Sequence, residues 1–248
     1  MTQATRRERL RAETERDIRR QARALLVNHG REAVTLRAIA REVGITAPAL
    51  YRYYDSREDL LRQLCDDICH DLEAELNAAL APLVEGEEPE QVYAVCRGFR
   101  RWALAHPQEF ALVFASPDNV VGVPEAIDRL RVGDQFGKVF LEVAGRLIAK
   151  HEHPHVDGTE PPEPPAVLHD DLRAFQQVLI TTVTARGVEV DEESLPLSAI
   201  FHLLQAWVRL YGHVALEVFG RFPFAVSDTE SVFDAMLESI LIPMGVQE

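Results

Sequence analysis

Cysteine is scarce in this sequence, and long apolar runs are missing from it. The three cysteines, Cys65, Cys69 and Cys96, are too few and odd in number for a framework of disulfide bonds. No stretch reaches about 18 consecutive apolar residues, so the sequence predicts no membrane span. The N-terminal residues contain no apolar segment of the kind that a secretion signal needs. We therefore expect a globular protein of a reducing compartment, the cytoplasm.

Motifs of catalysis are missing as well. The 13 glycines lie mainly at the ends of predicted helices, and there is no phosphate-binding glycine loop, nucleophile elbow or H-E-x-x-H motif. Metal-ligand residue types occur in Cys65-x3-Cys69-His70 and at three histidines within residues 151–155. Neither group has the paired spacing of a structural zinc site. We therefore predict no enzyme activity, no metal site and no cofactor.

Positive charge is scarce overall and concentrated at one end of the chain. The net charge is −14, yet residues 1–62 hold 14 arginines against 9 acidic residues. The remaining residues hold 12 basic and 31 acidic side chains. Such a distribution attracts the basic end to a polyanion and repels the acidic remainder from it. Taken alone, it is equally typical of an acidic protein whose first helix carries solvated arginines.

Strand patterns are absent, whereas helical periodicity recurs along the whole chain. The first apolar helical face ends at Gly30, a typical helix stop. Thr35 and Thr46 stand at the expected N-caps of two short helices, and a fourth, long helix runs toward Pro82. Later helices are predicted near residues 92–106, 125–150, 168–187, 195–221 and 228–243. The sequence therefore predicts an all-α fold.

A three-residue turn, Gly44-Ile45-Thr46, separates the second and third predicted helices. This is the spacing of a helix-turn-helix. Gly44 permits the left-handed backbone that the turn needs, and Ile45 fills the space between the helices. The second helix of such a unit enters the major groove of DNA with its N-terminal residues toward the base edges. The pattern therefore predicts a DNA reader.

Residues 30–61 resemble the TetR (tetracycline-repressor-like) family of transcriptional regulators. The resemblance rests on Gly30, Thr35, Ile39-Ala40, Val43-Gly44-Ile45-Thr46, Leu50-Tyr51, Tyr53-Tyr54, Arg57-Glu58 and Leu60-Leu61. It implies an N-terminal helix-turn-helix three-helix domain followed by a larger C-terminal helical domain for ligand sensing and dimerisation. We place these domains at residues 1–55 and 56–248. The proline-rich residues 151–166 predict a flexible loop in the second domain.

The resemblance also implies roles for individual side chains. Those implied to face bases are Arg37, Ala47, Pro48, Ala49 and Arg52, and those implied to hold phosphates are Thr35, Tyr51, Tyr53 and Arg57. Thr46, which caps the reading helix, is counted with them as DNA-binding. Small apolar side chains contact a thymine methyl group but read no donor–acceptor pattern, so Arg37 and Arg52 are the expected polar readers.

Two further features of this region have two interpretations each. Tyr54 occupies the family's buried aromatic position, so we predict packing for it rather than phosphate contact. Arg6, Arg7 and Arg9 lie in an N-terminal arm. The arm either reaches a minor groove or is a flexible terminus without a specific role.

The C-terminal part resembles the family in its general plan. A ligand cavity is predicted at Phe99, Trp102, Phe110, Phe114, Phe140, Phe175, Gln176 and Trp207. Each of these residues is equally consistent with an ordinary core position. The dimer interface is predicted at Leu210, Val214, Val218, Phe233, Met236, Leu237 and Ile240, on two helices that would form a four-helix isologous interface with their symmetry mates. The alternative is that this stripe packs within one subunit.

Together these patterns predict a homodimeric regulator that binds a double-stranded DNA operator and has no membrane partner. The leading hypothesis is a repressor that a small apolar or aromatic molecule releases from its operator. The alternative is a DNA-binding regulator without a small-molecule inducer, controlled by a protein partner or by its abundance. A helical enzyme would need an acid–base or metal constellation, and none is visible in the sequence.

Overall fold

A computed structural model describes residues 6–84, 87–115, 135–150, 163–185, 187 and 190–242 of the chain. These residues form α-helices and no strand, which confirms the predicted all-α fold. The α-helices of the described residues are α1 (Arg6–His29), α2 (Leu36–Val43), α3 (Ala47–Leu50), α4 (Arg57–Leu80), α5 (Glu88–Ala105), α6 (Pro107–Phe114), α7 (Gln135–Lys150), α8 (His169–Thr184), α9 (Leu197–Val218) and α10 (Thr229–Leu241). Among them, no helix combines the length and apolarity needed to cross a membrane.

The described residues form two compact units. The first unit contains residues 6–71 and 106–115, and the second contains the other described residues. The division falls inside α4, between Asp71 and Leu72, so one continuous helix contributes residues to both units. The first unit is discontinuous in sequence because α6 belongs to it.

The core of the first unit forms around α1. Ile18, Ala22 and Leu26 are fully buried and recur every four residues, which places them on one face of the helix. α1 packs against α2, and α2 packs against α3. Ile39 of α2 and Leu50 of α3 are fully buried as well. Burying an apolar side chain of this size stabilises a fold by about 1.5–3 kcal/mol, so this face positions the helix-turn-helix.

A group of charged side chains connects three helices of the first unit. Arg23 of α1 forms ion pairs with Asp71 of α4 and with Glu109 of α6. His106 Nδ1 lies 2.6 Å from Oε2 of the same glutamate. The Glu109 side chain is only 2% exposed, and a buried carboxylate that loses its partner costs about 3–5 kcal/mol. These contacts therefore fix α6 against α1.

The second unit has its apolar core between α7, α8 and α9. The buried members of this core are Leu141, Leu172, Leu179, Val183, Leu195 and Ile200. α10 packs against α9, and its Ile240 and Leu241 form a smaller buried cluster with Leu147 of α7. Apolar packing in these two clusters thus holds the last four described helices together.

Most predicted helix positions agree with the structure. The three predicted helices at 168–187, 195–221 and 228–243 correspond to α8, α9 and α10. α6 is a helix that the sequence pattern did not predict, and Pro107 lies in its first turn, where proline is favoured. The predicted helix at 125–150 is described only from Gln135 onward. The histidines at 151–155 and most of the predicted loop 151–166 lie outside the described residues.

Candidate DNA-binding site

Local hydrogen bonds define the helix-turn-helix formed by α2 and α3. Thr35 Oγ1 accepts from the Ala38 N–H at 3.1 Å, and Thr46 Oγ1 accepts from the Ala49 N–H at 3.3 Å. Gly44 lies between the two helices with φ 79° and ψ 26°, the left-handed conformation that glycine adopts without strain. Both predicted N-caps and the predicted glycine turn are confirmed.

The reading segment continues past the single regular turn of α3. The Tyr51 N–H donates to the Ala47 carbonyl at 3.3 Å, and the Tyr54 N–H donates to the Leu50 carbonyl at 3.2 Å. The backbone therefore keeps a helix-like path from residue 47 to residue 54. This path spans the whole of the predicted third helix.

The side chains predicted to contact DNA are mostly open to solvent. Thr35, Arg37, Thr46, Pro48, Tyr51 and Arg52 are exposed, and Ala47, Ala49, Tyr53 and Arg57 are half-buried. Tyr51 keeps 56% of its surface exposed. Its hydroxyl is available to a phosphate oxygen. DNA contact by these residues stays a prediction.

Tyr54 is packed, as predicted for it. The residue is 1% exposed, and Arg19 Nη1 donates to its hydroxyl oxygen at 3.2 Å. Burial raises the pKa of Tyr54 above its usual value. Arg19 also donates through Nε to Asp67 at 2.5 Å. Tyr54 is therefore a neutral, hydrogen-bonded part of the core between α1 and α4.

Arg57 has a structural role that the sequence did not reveal. Its Nε donates to the Val34 carbonyl at 2.7 Å, and its Nη2 donates to the Arg31 carbonyl at 2.8 Å. The guanidinium group thus ties the start of α4 to the short 3-10 helix Arg31–Ala33 before α2. A phosphate contact by Arg57 has to use the remaining N–H groups of its guanidinium group. A substitution of Arg57 removes these two hydrogen bonds to carbonyls as well as a positive charge.

The N-terminal arginines lie on a helix rather than in an extended arm. α1 begins at Arg6, so Arg7 and Arg9 occupy its first turns. The guanidinium carbon of Arg11 lies 5.7 Å from the centre of the Tyr53 ring. The start of α1 is therefore next to the reading segment within the first unit.

The side chains predicted to line a ligand cavity are distributed over both units. Phe99, Phe140 and Trp207 of the second unit do lie together, with ring centroids 5.7–5.8 Å apart. Tyr211, which was not predicted, stacks on Trp207 at 6.2 Å. We call these four residues the aromatic group. Trp102 is buried on α5 of the same unit, whereas Phe110 and Phe114 belong to α6 of the first unit, with their own centroids 5.0 Å apart.

Phe175 and Gln176 of α8 are packed inside the second unit. Phe175 packs against the buried cluster of α7, α8 and α9. Gln176 Nε2 donates to the Leu195 carbonyl at 2.6 Å and to the Glu192 carbonyl at 3.3 Å. The amide N–H groups of Gln176 therefore hold the segment before α9, and a ligand contact by Gln176 stays a prediction.

The predicted dimer residues are largely buried inside a single chain. Leu210, Val214, Phe233, Leu237 and Ile240 are each at most 4% exposed, and Val218 and Met236 are half-buried. A side chain that its own subunit already buries has almost no surface left to bury against a partner. This burial favours the alternative, packing within one subunit, for these five residues.

The opposite faces of the same two helices carry exposed apolar side chains. These are Leu204, Val208, Leu216 and Phe219 on or directly after α9, and Val232 and Ile242 on or directly after α10. Val208 is 60% exposed. Val232, Ala235 and Ile242 give α10 a second, solvent-facing stripe opposite its buried one, and this stripe also contains Ser231 and Ser239. These apolar residues are visible in the sequence, but the interface was predicted from the stripe that the subunit buries.

A buried polar group lies beside α10 in the second unit. Arg100 donates to the two carboxylate oxygens of Glu217 at 2.8 and 2.7 Å. The His213 ring lies between Phe222 and Phe233, with centroids 5.4 and 5.3 Å away. Burial lowers the pKa of His213, with Glu217 acting in the opposite direction. The pKa of Glu217 is lowered despite its burial because Arg100 donates to it.

Comparisons with known proteins cover both parts of the chain. A family model described as "Bacterial regulatory proteins, tetR family" matches residues 18–64, and one described as "Tetracyclin repressor-like, C-terminal domain" matches residues 92–240. HTH-type transcriptional regulator Rv1816 of Mycobacterium tuberculosis is 29% identical over 215 residues, which cover 86% of this chain and 84% of that protein. Regulator Mb1846 of Mycobacterium bovis gives the same figures.

Solved structures share the same architecture. Regulatory protein SCO4313 aligns with a TM-score of 0.66 and 27% identity, covering 96% of this chain and 100% of that one. A TetR/AcrR-family transcriptional regulator from Thermobifida fusca aligns with a TM-score of 0.50 and 18% identity over 95% of this chain and 100% of that one, a likeness of fold. The capped helix-turn-helix and these relatives define a helix-turn-helix transcriptional regulator. The chain belongs to the TetR family.

Proposed function

We propose that this chain is a homodimeric repressor that leaves its operator when its second unit binds a small apolar or aromatic molecule. The observation that carries the proposal is the reading segment at residues 46–54, whose Thr46, Pro48, Tyr51 and Arg52 are exposed. Two threonine caps and the glycine turn hold it in place. Because the Thr46 cap uses the backbone N–H of Ala49, the exposed side chains of the segment are left to meet DNA.

Base reading is assigned to two exposed arginines. Arg52 lies two residues after the end of α3, and Arg37 lies on α2. A guanidinium group donates two parallel hydrogen bonds to the O6 and N7 atoms of guanine. Ala47, Pro48 and Ala49 offer apolar surface to a thymine methyl group. The hydroxyls of Thr35, Thr46, Tyr51 and Tyr53 are assigned to phosphates, which position the reader without carrying sequence information.

Ligand sensing is assigned to the aromatic group of the second unit. Phe99 is fully buried, whereas Phe140, Trp207 and Tyr211 are half-buried and so retain open ring surface. The rings meet at interplanar angles from 27° to 90°, so their faces and edges present several orientations to a flat molecule. An apolar aromatic compound is the ligand that such a lining favours.

Dimerisation is assigned to the exposed stripes of α9 and α10. On α9, Leu204, Val208 and Phe219 share a face with Gly212. A Cβ atom added to Gly212 would have no neighbouring atom within 4 Å, so the space next to this glycine is open. A glycine between apolar side chains allows two helices to approach closely, because the distance between helix axes depends on the size of the side chains at the contact. A two-fold axis through this face and the outer stripe of α10 gives a four-helix isologous interface.

Release from DNA requires a ligand that binds the free conformation more tightly than the operator-bound one. We assign the coupling to α4, because this continuous helix contributes residues to both units. Half-sites lie about one helical turn of DNA apart, roughly 34–36 Å, so displacement of the two readers by a few ångströms is enough to break their register.

The test begins with the duplex that the protein selects from a random pool. A set of mono- and bicyclic aromatic compounds is then added to the complex, and operator affinity is measured for each compound. Loss of affinity with at least one aromatic compound supports the proposal. Sequence-selective binding that no compound changes would instead favour the alternative of a regulator controlled by a protein partner or by abundance. Absence of sequence-selective duplex binding would reject both.

A further inference from the structure

The packed face of α1 changes character toward the start of the helix. Ile18, Ala22 and Leu26 are fully buried on this face. Seven and eleven residues before Ile18, the same face carries Arg11 and Arg7. The periodicity that directs apolar side chains to the core of the first unit therefore places two arginines on the same side of the helix, beyond that core.

The first turns of α1 are open to solvent and strongly basic. Every residue from Arg6 to Glu13 is exposed, and residues 6–11 hold four arginines against one glutamate. Helical turns without tertiary packing are only marginally stable in water. A helix start of this composition is stabilised by an anionic surface next to it. Duplex DNA is such a surface.

Arg11 brings this basic face next to the reading segment. Its guanidinium carbon lies 5.7 Å from the centre of the Tyr53 ring, and its Nε donates to Glu15 Oε1 at 2.9 Å. Tyr53 is assigned to a phosphate in the proposed function. Duplex DNA carries one negative charge per about 1.7 Å of helix axis. A duplex that reaches Tyr53 therefore presents further phosphates to the Arg11 guanidinium.

We infer that the start of α1 binds the phosphate backbone of duplex DNA beside the half-site that α3 reads, through Arg7 and Arg11. This inference rests on the proposed DNA-reading function and enlarges its contact surface. Arg7 lies one helical turn, about 6 Å, further from the core than Arg11. Because backbone contacts carry no sequence information, these arginines raise affinity and salt dependence without changing base preference.

The test compares two double variants that remove the same charge. R7A/R11A alters the face toward Tyr53, whereas R9A/R16A removes two exposed arginines from the opposite side of the helix. Affinity is measured over a range of salt concentrations for a duplex selected by the unaltered protein and for an unrelated duplex of equal length. We expect R7A/R11A to bind both duplexes about tenfold more weakly. Its log affinity should also fall less steeply with log salt, with a slope smaller by about 0.9 for each phosphate that the variant no longer binds.

The control R9A/R16A should retain the affinity and salt dependence of the unaltered protein. Equal weakening in the two variants, or none in R7A/R11A, would overturn the inference while leaving the proposed function in place. Weakening confined to the selected duplex would mean base reading and would overturn it as well. If the unaltered protein bound no duplex, the proposed function itself would fail.

Helix content is compared by circular dichroism in all variants. The charge-conserving variant R7K/R11K separates an effect on phosphate binding from an effect on folding, because lysine also binds phosphate as a point charge. Recovery of the salt dependence in R7K/R11K supports phosphate binding. A defect that R7K/R11K shares with R7A/R11A contradicts it.

Discussion

Gly145 of α7 lies against the side chain of Val183 in α8 so closely that a Cβ atom at position 145 would overlap the valine Cγ2. Leu179 of α8 lies next to the same point. The two helices therefore need glycine here for close packing rather than for backbone conformation. We expect Gly145→Ala to lower the free energy of unfolding by about 1–3 kcal/mol, as overpacked cores do.

The cost of Gly145→Ala is measured by chemical denaturation. The double-mutant cycle with Val183→Ala provides the control, because the smaller side chain makes room for the new methyl group. In the Val183→Ala background, Gly145→Ala should cost less than it does alone. Equal costs in both backgrounds would show that this helix contact is not the cause.

Base reading by Arg52 is tested by Arg52→Ala. We expect operator binding to weaken by about 1–3 kcal/mol and base preference at one position to relax, because alanine cannot form the bidentate pair of hydrogen bonds to a base. Arg173→Ala is the matched control, since Arg173 is an exposed arginine of the second unit. Titration of the selected duplex and its single-base variants gives both quantities. Equal selectivity in Arg52→Ala and the unaltered protein would remove Arg52 from the reader.

The dimer proposal is tested by Val208→Glu. A carboxylate in the centre of an apolar helix interface is left without a partner, so we expect monomers and loss of operator binding. Val167→Glu is the control because Val167 is also exposed, at 85%, but belongs to neither α9 nor α10. Light scattering of the unaltered protein should give about twice the chain mass of 27.9 kDa. A dimer that survives Val208→Glu would place the interface elsewhere.

The aromatic group is tested by Trp207→Leu. Because the substitution removes a ring that packs on Phe99 and Phe140, we expect the protein to lose its response to an aromatic inducer while still binding operator. Phe175→Leu provides the comparison, since Phe175 belongs to the apolar core of α8. Inducer titrations of the protein–duplex complex measure the response. Equal responses in the two variants would exclude the aromatic group as the sensor.

His213 predicts a pH dependence of stability. Its pKa is lower in the folded chain because it is buried, so the unfolded chain binds more protons once the pH falls through about 6.5. The unfolding free energy should therefore decrease between pH 7.5 and pH 5.5. Glu217, with a lowered pKa, stays ionised across this window.

The His213 contribution is isolated with His213→Gln, which has no titrating ring. Unfolding free energies measured at several pH values should change less in this variant than in the unaltered protein. His29→Gln, at an exposed position, is the control for the removal of an imidazole ring. A pH dependence that persists in full in His213→Gln would assign it to other groups.

The parts of this structure that the sequence predicted are those set by local contacts. Thr35 and Thr46 act as caps through hydrogen bonds to residues three positions ahead, and the turn at Gly44 depends on one backbone conformation. Such features leave their signature within a few residues. The family resemblance at residues 30–61 is specific for the same reason.

The parts that the sequence did not predict depend on distant partners. Nothing near Arg57 indicates that its guanidinium group serves carbonyls 23 and 26 residues earlier. α10 carries apolar residues on two faces, and periodicity alone does not tell which face the subunit buries. The ligand prediction gathered aromatic residues by type, although α6 places Phe110 and Phe114 in the first unit.

The discontinuity of the first unit has a consequence for how the protein is made. A ribosome that has synthesised residues 1–71 has provided the whole helix-turn-helix but not α6, which supplies Glu109 as a partner of Arg23. The charged contacts of the first unit are therefore complete only after about 40 further residues have been synthesised, which takes several seconds at most. A truncated gene that ends after α4 would encode every predicted DNA contact and yet yield an unfinished domain.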